Sequence, residues 1–191
     1  MTLSAIDTHS ALVVIDLQNG IVGRLRAGED TTVVDAVVGN SRKLADAFRT
    51  RGLPVVLVNV AGAPVGRTDA ARRMPAEVPA DYFALVDGLN TSDDDVLLTK
   101  HSVGAFATTE LDAVLRERGV TQIVLTGIAT SVGVESTARN AHDLGYNVVL
   151  TVDAMTDLTP SAHDYAVANV FPRLGESTTT QDVLAALAAR G

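Results

Sequence analysis

Three positions in this chain combine a chemically useful residue with a place where an apolar run stops. Asp16 ends such a run in VVIDLQNG, Lys100 ends another in LLTKHSVGAF, and Gly133 lies just past a third in LTGIATSVGVESTAR. A carboxyl at the edge of a low-dielectric sheet has its charged form disfavoured, which moves its pKa toward the range of proton transfer. An ammonium beside it opposes that shift and supplies a fixed positive charge. A glycine among small residues at the start of a helix lets backbone N–H groups converge on an anion or a developing oxyanion. An acid or base, an electrostatic partner and an anion cradle are the parts of a hydrolytic site. The same residues have plainer readings: Asp16 as the cap of a turn and Lys100 as a chain that snorkels to solvent.

What the chain lacks narrows the chemistry. It has no cysteine, so thiolate nucleophiles, disulfides and zinc-thiolate sites are excluded. The glycine turn at Gly133 is no phosphate loop, because no Lys-Ser/Thr pair ends it and Glu135 would repel phosphate. GxSxG is absent, which leaves Ser131 and Thr130 as hydroxyl nucleophiles only if a base is near, and His101 is the one conceivable base. The four histidines, His9, His101, His142 and His163, show no HExxH spacing, so neither a metal nor another cofactor is expected.

Apolar runs of strand length alternate with amphipathic segments of helix length. That alternation predicts an α/β fold, a mostly parallel, doubly wound sheet between two helical layers. Strands are expected at 11–15, 55–60, 96–99, 122–126 and 147–152, with a weak sixth at 175–177, giving about six strands in the order 3-2-1-4-5-6. Helices are expected at 31–51, 109–118, 134–144, 161–170 and 180–189, the last capped by Thr179 or Thr180. Residues 61–95 are rich in Gly, Pro and Asp and read as a long surface insertion with one short helix. Within it Asp93, Asp94 and Asp95 read as a solvated turn, since contiguous carboxylates cannot all face one ion. In an open parallel sheet ligands bind beyond the carboxyl ends of the strands, which is where Asp16, Lys100 and Gly133 all fall.

With 191 residues, the chain fits one domain, and 47% hydrophobic with 20% charged residues is ordinary globular composition. A net charge of -8 argues against nucleic acid and anionic lipid as partners. No apolar run is long enough to span a membrane, and MTLSAIDTHS lacks the features of a secretory signal, so a cytoplasmic protein is expected.

VVIDLQNG, TKHSVGAF and GIATSVGVESTARNAHDLGYNVVLTVDA, in that order, resemble the aspartate strand, the lysine segment and the cysteine-elbow block of the isochorismatase-like hydrolase superfamily. The resemblance spans nearly the whole chain. It implies catalytic roles for Asp16 and Lys100, and a cis peptide at Ile128-Ala129 that aims backbone N–H groups at an oxyanion. It also implies a small-molecule substrate and a homodimer or homotetramer. Gly133 stands where the cysteine hydrolases carry their nucleophile, as it does in isochorismatases proper, which hydrolyse a vinyl ether without a covalent intermediate. Substrate contacts are expected from Ile128, Ala129, Ser131 and Val132, with Gln18 and Phe106 adding to the wall. The isochorismatase pattern places tryptophan, arginine and tyrosine after the lysine, and a tyrosine in the elbow. This chain has His101, Ser102, Val103 and Ala129 there, so the groups that recognise isochorismate are missing and the resemblance does not fix the substrate. Three functions compete: non-covalent hydrolysis, a catalytically silent binding protein, and acyl transfer through Ser131.

Overall fold

The computed structural model describes residues 3–27, 31–62, 64–69 and 77–190. Six strands form one sheet: β1 (Ser10–Ile15), β2 (Val55–Val60), β3 (Val96–Lys100), β4 (Gln122–Ile128), β5 (Asn147–Thr156) and β6 (Glu176–Thr178). Their order is β3-β2-β1-β4-β5-β6 and every pairing is parallel. β1 and β4 lie in the middle, and every residue of both is buried. That is why they read as continuous apolar runs rather than as alternating ones.

The long helix α2 (Thr32–Thr50) turns Val34, Val37, Val38, Leu44, Ala45 and Phe48 inward at helical spacing. These pack with Leu12, Val14 and Leu57 on one face of the sheet, joined by Val183 and Leu187 of α6 (Thr180–Ala188). On the other face Val13, Ile15 and Ile123 meet Leu111 and Leu115 of α3 (Leu111–Glu117) and Ala138 and Ala141 of α4 (Glu135–Asp143). A further short helix, α5 (Pro160–Tyr165), follows β5 and continues into a π-type turn over Ala166–Val170. Thr179 caps α6, its hydroxyl accepting the N–H of Asp182.

Three features depart from expectation. A helix, α1 (Asn19–Arg26), follows β1 directly; its glycines Gly20 and Gly23 mask it in the sequence, since glycine is a poor helix former. The chain from β4 toward α4 passes through a wide π-type turn at Thr130–Val134 that leaves no periodic trace in the sequence, and α4 itself starts at Glu135, one residue after its expected start. The acidic triplet is not wholly solvated. Asp95 is 1% exposed at its side chain and pairs at 2.7 Å with Arg49, while its carboxylate accepts the N–H of Ser92. Within 61–95 the short helix is a 3-10 turn at Asp87–Leu89; residues 63 and 70–76 lie outside the described residues.

Candidate active site

The carboxyl ends of β1, β3 and β4 meet round a cavity of about 310 Å³ whose wall includes Asp16, Lys100, Ile128, Ala129, Val132 and Gly133. Asp16 is the first residue after β1 and takes a left-handed conformation, φ 55°, which few non-glycine residues adopt. Its N–H still completes the ladder to Val58 at 2.8 Å, so the reversal comes just after the last sheet bond. Lys100 is the last residue of β3 and is only 2% exposed. Its Nζ lies 2.8 Å from Asp16 Oδ2 and donates to the carbonyls of Ser102 at 3.2 Å and Val103 at 3.0 Å. The three protons of the ammonium are thus all used. The loop that supplies those carbonyls is itself held, Ser102 Oγ donating to the carbonyl of Gly104 at 2.8 Å.

Asp16 Oδ1 is different. It is buried and has no hydrogen-bond partner among the described residues. Removal from water pushes the Asp16 carboxyl up to about 6, against the attraction of the Lys100 charge and its hydrogen bond. The carboxyl therefore changes protonation near neutrality.

The third wall is the elbow after β4. At Gly127, φ is 123°, and a Cβ there would stand 2.0 Å from the carbonyl oxygen of Ile15, so only glycine lets β4 lie so close to β1. The pairing of β4 with β5 shifts register between Leu125 and Gly127, a local irregularity that re-aims the end of the strand. The Ile128-Ala129 peptide is cis. Beyond it Val132 N–H donates to the carbonyl of Ala129 at 3.1 Å. Asp157 Oδ2 accepts both the N–H and the hydroxyl of Ser131, each at 2.8 Å, and Thr130 Oγ1 lies 2.8 Å from His163 Nδ1. Gly133 packs against Asp16: a Cβ on it would come within 3.0 Å of both Asp16 Oδ2 and Ile15 Cγ2. The carboxylate thus stands in contact distance of the space a larger residue at 133 would need.

The structure brings Asp16, Lys100, Gly133, Ile128, Ala129 and Val132 together round one cavity. Gln18, Ser131 and Phe106 are not in its wall. Gln18 is 1% exposed, and its amide is turned onto the backbone of Val60, donating to the carbonyl at 3.1 Å and accepting the N–H at 2.7 Å. Ser131 faces Asp157, and Phe106 packs 5.9 Å from the Tyr146 ring on the α3 and α4 face. His101 is exposed; its Nδ1 would meet a Cβ on Gly62 at 2.8 Å. Wall residues that the sequence did not single out are Ile21 and Arg24 of α1, Gly62, Pro64 and Leu158. A helical reading of 19–26 would have found the first two, because Ile21 and Arg24 share a helix face. Among the described residues no group of three or more His, Asp or Glu side chains is placed to hold a metal ion.

Residues 10–182 match the isochorismatase domain family. The chain is 42% identical over 189 residues to the isochorismatase family protein YwoC of Bacillus subtilis, covering 96% of each. It is 32% identical over 190 residues to the ureidoacrylate amidohydrolase RutB of Stutzerimonas stutzeri, covering 85% of this chain and 76% of that one. A solved isochorismatase family protein from Burkholderia thailandensis superposes with a TM-score of 0.88 at 43% identity, over 96% of this chain and 98% of that one. The three sequence blocks, the strand order and these likenesses agree, and the chain belongs to the isochorismatase family.

Proposed function

We propose that the protein is a hydrolase of a small molecule that works without a covalent intermediate, with Asp16 moving the proton and water as the nucleophile. The observation that carries this reading is the unpartnered Asp16 Oδ1, buried in the cavity wall while Oδ2 is held by Lys100. A buried acceptor without a partner is rare in a folded protein and calls for a functional explanation. The Asp16 carboxyl lies in the cavity wall, where it is placed to exchange a proton with a bound water.

In the step proposed for an amide or carbamoyl group, ionised Asp16 accepts a proton from water as the water oxygen bonds to the carbonyl carbon; for a vinyl ether, protonated Asp16 first gives its proton to the terminal carbon, and water then adds to the resulting oxocarbenium carbon as Asp16 takes a proton back. The bond to the leaving nitrogen or oxygen then breaks, and the proton on Asp16 passes to the leaving group. Lys100 keeps the carboxylate oriented and partly ionised despite its burial. The negative charge that develops is assigned to the N–H groups of Ala129 and Gly133, both in the cavity wall, since those of Ser131 and Val132 are used inside the turn. RutB is by name an amidohydrolase, which supports the inclusion of amides and carbamoyl compounds. The absence of cysteine removes the thioester route, so catalysis has to pass through water or a hydroxyl. The hydroxyl of Ser131 is committed to Asp157 and lies outside the cavity wall, which favours water. From the family resemblance we also propose a cytoplasmic homodimer or homotetramer.

The test is a screen of small vinyl ethers, amides and carbamoyl compounds with the wild type, Asp16→Asn and Lys100→Ala. For any compound hydrolysed, Asp16→Asn is expected to lower kcat by about 10²-fold or more, the usual contribution of a positioned base. Hydrolysis that survives both substitutions removes the mechanism. A wild type that binds such compounds and turns over none is instead a silent binding protein.

A further inference from the structure

The hydrolytic step engages one end of the cavity, and the wall carries one charged group that this step does not use. Arg24 lines the cavity from α1, three residues beyond Ile21 on the same face of the helix. Several of the other cations are matched by carboxylates: Arg26 by Asp35, Arg49 by Asp46 and Asp95, Arg116 by Asp112 and Arg139 by Glu135. Lys100, the other cation in the wall, is buried and spends its protons on Asp16 and two carbonyls. It has no donor left for a second anion. Among the described residues Arg24 has no carboxylate within ion-pair distance.

A protein of net charge -8 repels small anions in general, so a site that takes one needs a local cation. Guanidinium suits the task, because its planar donors meet both oxygens of a carboxylate at once. Apart from Arg24, Asp16 and Lys100 the wall is largely apolar, with Ile21, Val60, Val132 and Leu158. At about 310 Å³ the cavity fits only a small molecule.

We infer that the cavity selects small organic carboxylates, with Arg24 holding the carboxylate, Ile21, Val132 and Leu158 covering an apolar middle, and the group to be hydrolysed at the Asp16 and Gly133 end. This rests on the hydrolytic reading for the last clause only; the anion site stands on its own. Arg24 is a specificity-determining residue, since an uncharged substrate of the same shape gains nothing from it.

The experiment measures Kd by NMR titration for a matched pair of probes, 4-methylpentanoate and 4-methylpentanamide, in the wild type, Asp16→Asn and Arg24→Gln. Wild type and Asp16→Asn are expected to bind the carboxylate about tenfold more tightly than the amide, a preference on the scale of a charge-assisted bidentate pair. Arg24→Gln, an exposed and conservative change, is expected to bring the two probes level. A wild type that does not prefer the carboxylate overturns the inference, as does an Arg24→Gln protein that keeps the preference. Neither result touches hydrolysis, whose failure shows separately as turnover indifferent to Asp16.

Discussion

The two oxygens of the Asp16 carboxylate have different fates: Oδ2 meets Lys100 at 2.8 Å, and Oδ1 is buried with nothing to bond. This asymmetry sets Asp16 apart from a purely structural ion pair, in which both oxygens are expected to find partners, and supports the catalytic role proposed for it. It also has a thermodynamic consequence. The folded-state pKa is about 6 against an ordinary 3.8, so the folded protein binds this proton more tightly than the unfolded chain does. The stabilisation is therefore fully present below about pH 3.8 and is lost as the pH rises through about 6, amounting to about 3 kcal/mol. Urea unfolding at a series of pH values checks this. The wild type should lose about 3 kcal/mol more than Asp16→Asn between the acid and neutral ends of that window, and parallel curves would show that the carboxyl is not confined as described. Asp16 and Lys100 were legible because an ionisable residue closing an apolar run stands out. Ser131, expected as a substrate contact, turns to Asp157, a partner from a distant stretch of the chain after β5 that local sequence does not announce. Arg24 was missed because Gly20 and Gly23 hide the helix that carries it onto the face of Ile21.

At the scale of elements, strands of unbroken apolar sequence were read nearly residue for residue: 55–60 agrees with Val55–Val60, and 96–99 falls one short of Val96–Lys100. Errors collect where local preference is overridden by tertiary contact. α1 contains Gly20 because Tyr82 lies over it, its ring 2.4 Å from where a Cβ would be; a glycine chosen for close approach looks locally like a breaker. The elbow was legible in its residues but not in its shape, since a π-type turn and a shifted strand register leave no periodic trace. Gly127 is where that shape is set. Replacing it with alanine forces an L side chain into φ 123° and onto the Ile15 carbonyl, and is expected to cost at least about 2 kcal/mol. Thermal or urea unfolding of Gly127→Ala measures the loss. A change within about 0.5 kcal/mol, typical of an unconstrained surface position, would mean that the close approach of β4 to β1 is not required.

For the whole molecule, the strand order explains why residues so far apart in sequence form one site. In the order β3-β2-β1-β4-β5-β6 the chain leaves β1 toward β2 on one side and returns to β4 on the other. The ends of β1 and β4 thus diverge into a crevice, and Lys100 reaches it across the end of β2. This arrangement was readable from the alternation of strands and helices together with the family resemblance. The apolar enclosure of the site was readable only in part: Val103, Ile128, Ala129 and Val132 lie in the blocks that carry the resemblance, whereas Ile21 and Leu158 lie outside them. That enclosure removes Asp16 from water and gives it a pKa near neutrality, so the fold and the chemistry meet in one titration. The direct test is the pH dependence of kcat/KM for the best-hydrolysed amide or carbamoyl compound of the screen, followed from about pH 5 to about pH 8. The rate should rise with pH through a midpoint of about 6 and level off above it, as the ionised carboxylate becomes available to take the proton of water. A profile that is flat across that range, or that falls through it, would contradict Asp16 as the base.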